Sequence, residues 1–139
     1  MLKTNLLQPE ILYALASAGH GSRILISDGN YPHSTGSNPS AEKVYLNLQP
    51  GILDVPTVLR AIAGAVPIEA AQVMATADGS TPPVWAEFSA ILDPIRLERL
   101  ERFSFYETAS EPEVALVVAT GEQRIYANIL LTIGVVAPA

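Results

Sequence analysis

The stretch Gly19-His20-Gly21-Ser22-Arg23-Ile24-Leu25-Ile26-Ser27-Asp28 sets the class of fold. Ile24-Leu25-Ile26 is a short continuous apolar run bounded by turn residues, the pattern of a fully buried strand over Arg23 to Ser27. Upstream, Pro9-Glu10 leads into Ile11, Leu12, Leu15 and Ala18 at helical spacing, with proline in the first turn and Gly19 just past the end. Downstream, Gly29, Pro32, Gly36 and Pro39 break residues 29 to 40 into a loop, and loops of that length in compact domains are usually functional. Helix, buried strand and loop in succession are the beginning of a layered α/β domain.

The remainder repeats the alternation. Val44 to Leu48 alternates as a strand, and Asp54 caps a helix carrying Val55, Val58, Leu59, Ile62 and Val66, closed by Gly64 and Pro67. Residues 68 to 75 fit helix or strand, with Val73-Met74 favouring a strand. Pro82-Pro83 opens a helix through Val84, Trp85, Phe88, Ile91 and Leu92 that Asp93-Pro94 stops. A strand near Ile95 and Leu97 then enters a short helix near Phe105-Tyr106-Glu107, and strands at 114 to 120 and 129 to 136 close the chain. No repeat or linker divides it, so residues 1–139 are expected to form one domain.

Of the 139 residues, 49% are apolar and 16% charged, and the mean hydropathy is +0.28. That balance excludes disorder. It also leaves more apolar surface than a small monomer covers, which predicts burial against other copies of the chain. Fourteen acidic against eight basic residues give a net charge of −6, unsuited to neutralising nucleic-acid phosphates. With no cysteine and two histidines, neither a disulfide nor a built-in metal site is expected. Ile125 to Ala139 is uncharged but shorter than the roughly 20 residues of a membrane span. No secretory segment is apparent, and a cytoplasmic location is expected.

Three constellations carry candidate chemistry. His20 sits in a glycine-flanked turn after a helix end, where the macrodipole favours an imidazolium, and Asp28 ends a buried strand, where α/β sheets collect ligands. One strand separates the pair, so both are expected to face one crevice; the plainer reading is a helix cap and an Asx-turn. Arg102-Phe103-Ser104-Phe105-Tyr106-Glu107 sets donors beside an aromatic face, as sugar sites do, or supplies core aromatics and a surface ion pair. Thr120-Gly121-Glu122 and Tyr126-Ala127-Asn128 present a phenol, an amide and backbone groups at a turn, or form an ordinary hairpin. Gly19-His20-Gly21 is no dinucleotide loop, because Ile24 stands where a third glycine is needed and the strand follows it.

Together these motifs resemble the fucose mutarotase and D-ribose pyranase family. The resemblance runs from Leu-Lys-Thr at 2–4 through Gly-His-Gly at 19–21, Asp28 eight residues after His20, and Leu-Arg-Ala-Ile at 59–62. It continues in Arg-Phe-Ser-Phe-Tyr-Glu at 102–107, Thr-Gly-Glu at 120–122 and Tyr-Ala-Asn-Ile-Leu-Leu from 126, with residues 76 to 100 matching least. The aromatic motif is similar to the L-fucose branch. That branch carries a histidine where Asn30 stands, a place His33 would take after a one-residue deletion.

The resemblance implies a three-layer α/β/α domain with a mostly buried central sheet. It implies a ring-type homo-oligomer, a decamer of stacked pentamers, with sites near subunit contacts. It implies interconversion of the α and β anomers of a free monosaccharide, with L-fucose the expected sugar, and no cofactor or metal. His20 becomes the proton donor, and Asp28, Arg102, Tyr126, Ala127 and Asn128 the substrate ligands; Tyr106, Glu107, Glu122 and His33 are further candidates. Imidazole, with a free pKa of about 6.5, suits a proton shuttle near neutrality. The rivals are a D-ribose pyranase with the same catalytic parts and a sugar-binding module without catalysis.

Overall fold

A computed structural model describes residues 1–139. The elements are α1 (Pro9–Ser17), β1 (Arg23–Ser27), β2 (Glu42–Tyr45), α2 (Val55–Ala63), β3 (Ile68–Met74), α3 (Val84–Leu92), β4 (Leu97–Leu100), α4 (Arg102–Ala109), β5 (Val114–Ala119) and β6 (Ile129–Ile133). The six strands form one mixed sheet in the order β2-β5-β1-β6-β3-β4. β1, β2 and β5 run parallel, as do β3 and β4, and β6 runs antiparallel to its neighbours β1 and β3.

Both faces of the sheet are covered, which is why β1 is apolar at successive positions rather than at alternate ones. Ile24 and Ile26 join Val73, Val118 and Ile129 against α1, α2 and α3, which contribute Ile11, Leu59, Ile62 and Phe88. Leu25, Val117 and Leu130 face the other way, onto Phe105 and Ala109 of α4. No helix is long and apolar enough to cross a membrane.

The local signals explain most boundaries. Asp54 Oδ1 accepts from Thr57 N–H at 2.9 Å, and Pro56 lies in the first turn of α2. Four expectations shift. β2 spans 42–45 rather than 44–48, because its register with β5 ends at Ala119 and leaves Leu48 exposed. α2 stops at Ala63, three residues before Val66, with Gly64 as its cap. β6 stops at Ile133 rather than 136, where its partners run out at Arg23 and Ile68. α4 starts at Arg102 rather than near Phe105, because the Glu101 carboxylate accepts from the N–H groups of Phe103 and Ser104 and starts the helix straight after β4.

Candidate active site

The C-terminal ends of β1, β3, β4 and β5 and the N-terminal end of β6 share one edge of the sheet. Asp28 follows β1, Met74 ends β3, Arg102 follows β4, and Tyr126 to Asn128 lead into β6. Sequence positions about 100 residues apart meet there. Asp28, Arg102, Tyr106, Tyr126 and Asn128 line one pocket of about 350 Å³, together with Asn30, Tyr31, Met74 and Ile125.

Asp28 is the most constrained of them. Its backbone N–H donates to Asn128 Oδ1 at 2.8 Å, its Oδ1 accepts from Asn30 N–H at 3.0 Å, and its Oδ2 accepts from Ala127 N–H at 3.3 Å. Ala127 thus contributes a backbone donor while its methyl is buried. Burial raises the Asp28 carboxyl above the usual range, and the nearby Glu122 charge acts in the same direction. The N–H groups of Asn30, Ala127 and Tyr31 oppose them without prevailing. Tyr126, which lines the pocket, occupies the left-handed region at φ 58°, which costs a non-glycine residue roughly 1 kcal/mol.

The opposite wall is aromatic. Tyr31 and Tyr106 lie 5.5 Å apart between ring centroids, and the Arg102 guanidinium stands 5.8 Å from the Tyr106 ring. The Tyr31 hydroxyl donates to Gly36 O at 2.6 Å, so its ring forms a wall while its polar end is occupied. Desolvation pushes that phenol far up, so it stays neutral. Such a site offers carboxylate, amide and guanidinium groups to hydroxyls, and ring faces to an apolar edge.

His20 is elsewhere, and the single crevice expected for His20 and Asp28 does not exist within one chain. The five extended residues of β1 lie between them, a length of roughly 17 Å at about 3.3 Å per residue. The strand that suggested the pairing therefore holds the two at opposite ends of the sheet. His20 is exposed, with Nε2 3.1 Å from both Oε1 and Oε2 of Glu69 near the start of β3. Sequence reading missed Glu69: the two are 49 positions apart, and only the β1–β6–β3 register brings them together.

Three further candidates fall outside the pocket. Glu107 is exposed on α4, about 140° around the helix from Arg102 at 100° per residue. His33 lies behind Tyr31, with Nδ1 2.7 Å from the fully buried Ser27 Oγ, and burial lowers its pKa. Glu122 is a buried strut: it accepts from Val55 N–H at the start of α2 and from the backbone and guanidinium of Arg124, which also bonds Glu87 of α3. Burial alone would raise the Glu122 carboxyl, but those hydrogen bonds together hold it below the usual range. Nowhere do three or more His, Asp or Glu side chains group as a metal site would require.

With the geometry established, similarity to known proteins gives it a context. The chain is 35% identical to the fucose mutarotase of Homo sapiens, over 95% of this chain and 91% of that protein. It is 33% identical to the D-ribose pyranase of Variovorax paradoxus, over 97% and 98% respectively. The crystal structure of a fucose mutarotase in complex with L-fucose from Streptococcus pneumoniae superposes with a TM-score of 0.84 at 28% identity, covering 98% of this chain and all of that one. The RbsD / FucU transport protein family matches residues 1–136, and the chain belongs to that family.

Proposed function

We propose that this protein is a sugar mutarotase that interconverts the α and β anomers of a free monosaccharide, L-fucose first among them. The observation that carries the reading is the convergence of Asp28, Arg102, Tyr106, Tyr126 and Asn128 on one pocket at the sheet edge. The relatives named above include enzymes for fucose and for ribose.

Ring opening moves one proton onto the ring oxygen and takes another from the anomeric hydroxyl; closure on the other face returns both. In this reading His20 protonates the ring oxygen. Glu69 holds Nε2 and leaves Nδ1 for the sugar. Asp28, with its carboxyl above the usual range, takes the anomeric proton. Arg102, Tyr126, Asn128 and the backbone at Ala127 hold the other hydroxyls, and Tyr106 supplies a wall. Acid–base assistance of this kind is worth roughly 10²–10⁴-fold.

Because His20 and the pocket occupy opposite ends of one chain, the acid reaches the sugar from a neighbouring copy. Exposed apolar side chains mark both ends. Val135 and Val136 follow β6 on the His20 side, and Phe103 and Ile125 flank the pocket. A contact between two different surfaces is heterologous, and repeated with closure it makes a ring. This supports a ring-type homo-oligomer; a decamer of stacked pentamers and a cytoplasmic location are further parts of the same proposal. Residues 1–139 act as one unit within it.

The experiment is magnetisation-transfer NMR of anomeric exchange with L-fucose and with D-ribose, on wild type, His20→Ala, Asp28→Asn and co-refolded mixtures of the two variants. The expectation is rapid α/β exchange in wild type, loss in each variant, and partial recovery in the mixture, where hybrid contacts restore intact sites. Pyranose–furanose exchange with ribose alone would make the protein a pyranase. Sugar binding without exchange would make it a binding module.

A further inference from the structure

The peptide plane joining Tyr126 to Ala127 is held at both ends. Its N–H donates to Asp28 Oδ2 at 3.3 Å, and its carbonyl, on Tyr126, accepts from the indole Nε1–H of Trp85 at 2.9 Å. Trp85 lies on α3, is 3% exposed and does not line the sugar pocket. Its ring is itself fixed: the Arg99 guanidinium of β4 lies 4.9 Å from the ring centroid, and Arg99 donates to Thr81 Oγ1 at 2.8 Å.

A trans peptide is rigid, so its C=O and N–H point in opposite directions and turn together. A donor that fixes the carbonyl therefore fixes where the N–H points. Here that N–H is one of the groups holding the Asp28 carboxylate. The same plane ends the left-handed residue Tyr126, at φ 58°. A single non-glycine residue keeps that conformation only where its surroundings hold it. One indole N–H thus holds the peptide that follows Tyr126 and, through it, one of the hydrogen bonds that seat Asp28.

We infer that Trp85 is a positioning residue for sugar turnover, acting through the Tyr126–Ala127 peptide on Asp28 and Tyr126 without touching the substrate. The inference rests on the reading of the pocket as a sugar site. It assigns function to a residue that packing alone would place in the core.

Trp85→Phe keeps an aromatic ring in the core and removes the N–H together with part of the indole, so the fold is checked beside the rate. In the assembled protein, its kcat for L-fucose anomer exchange falls about tenfold with less change in KM, while the circular dichroism spectrum and oligomeric size match wild type. Trp85 is the only tryptophan of the chain, so wild type shows one indole Nε1–H cross-peak per protomer, and that peak moves when L-fucose saturates the site. Unchanged kcat and KM in Trp85→Phe overturn the positioning role and leave the mutarotase reading standing. Should the variant fail to fold, an indole peak that saturating L-fucose leaves in place overturns it equally. Wild type that accelerates exchange of neither fucose nor ribose overturns the sugar reading itself, a result distinct from both.

Discussion

His20 and Glu69 face each other across the end of β6, the one strand between β1 and β3, with the imidazole Nε2 3.1 Å from each carboxylate oxygen. Both side chains are half exposed, and an ion pair so open to water contributes little to folding, about 0–1 kcal/mol. Its value lies in orientation. Glu69→Gln keeps the size and an acceptor but removes the charge that faces the imidazole. Exchange rates at saturating sugar are expected to fall by about tenfold or more with the thermal midpoint unchanged. Stopped polarimetry beside a melting curve reads both; a wild-type rate in Glu69→Gln would remove Glu69 from the mechanism.

Asp28 gives the pH dependence. Burial raises its carboxyl above the ordinary 3.8, so the ionised form appears only as pH climbs through that raised value. If the carboxylate accepts the anomeric proton, kcat/KM rises with pH across an acid limb above 3.8 and levels off once Asp28 is charged. Asp28→Asn has no such limb, and its activity falls by roughly 10²-fold or more. An identical limb in wild type and variant would assign the titration to another group.

The parts of the site legible in the sequence were those whose signal is local. Asp28 after an apolar run, and Tyr126-Ala127-Asn128 before one, announce strand ends, and strand ends on one sheet edge share a pocket. Arg102 and Tyr106 were legible as a motif, although the start of α4 at Arg102 depends on Glu101, whose capping role a Leu-Glu-Arg-Leu-Glu run conceals. What stayed hidden was topological. Glu69 meets His20 only because β6 is inserted between β1 and β3. Glu122 belongs to a motif beside the site, yet its partners are Val55, Arg124 and, through Arg124, Glu87. In the sequence the strand between His20 and Asp28 links them, and in the fold its length separates them.

Gly121 and Gly64 make a controlled pair. A Cβ built on Gly121 lies 2.4 Å from Gln49 O and 2.5 Å from Ile52 O, both backbone atoms of a loop that cannot swing aside as a side chain would. Gly121→Ala is expected to cost about 2 kcal/mol by overpacking. Gly64 caps α2 in the right-handed region, and its Cβ would meet nothing closer than Arg60 O at 3.4 Å. Gly64→Ala is expected to be neutral or to stabilise by about 0.5 kcal/mol through the unfolded chain. Urea titrations of both variants check the contrast, and equal midpoints would show that the 49–52 loop yields.

Glu122 predicts a stability effect with a definite sign. Its folded-state pKa lies below the ordinary 4.5, because the hydrogen bonds from Arg124 and Val55 outweigh the burial that would raise it. A depressed carboxyl contributes stability that is complete above 4.5 and disappears as pH falls through the lowered value. Glu122→Gln retains the size but cannot match the charge facing Arg124, and leaves acceptors short for Val55 and Arg124. The variant is expected to be less stable at pH 7 by about 2 kcal/mol. That difference shrinks as pH drops well below 4.5, where the wild-type carboxyl is protonated too. Denaturant midpoints at neutral and acid pH measure it. A gap that stays constant would mean that Glu122 supports the fold by shape alone, and that α2, α3 and the turn before β6 are joined by packing rather than by its charge.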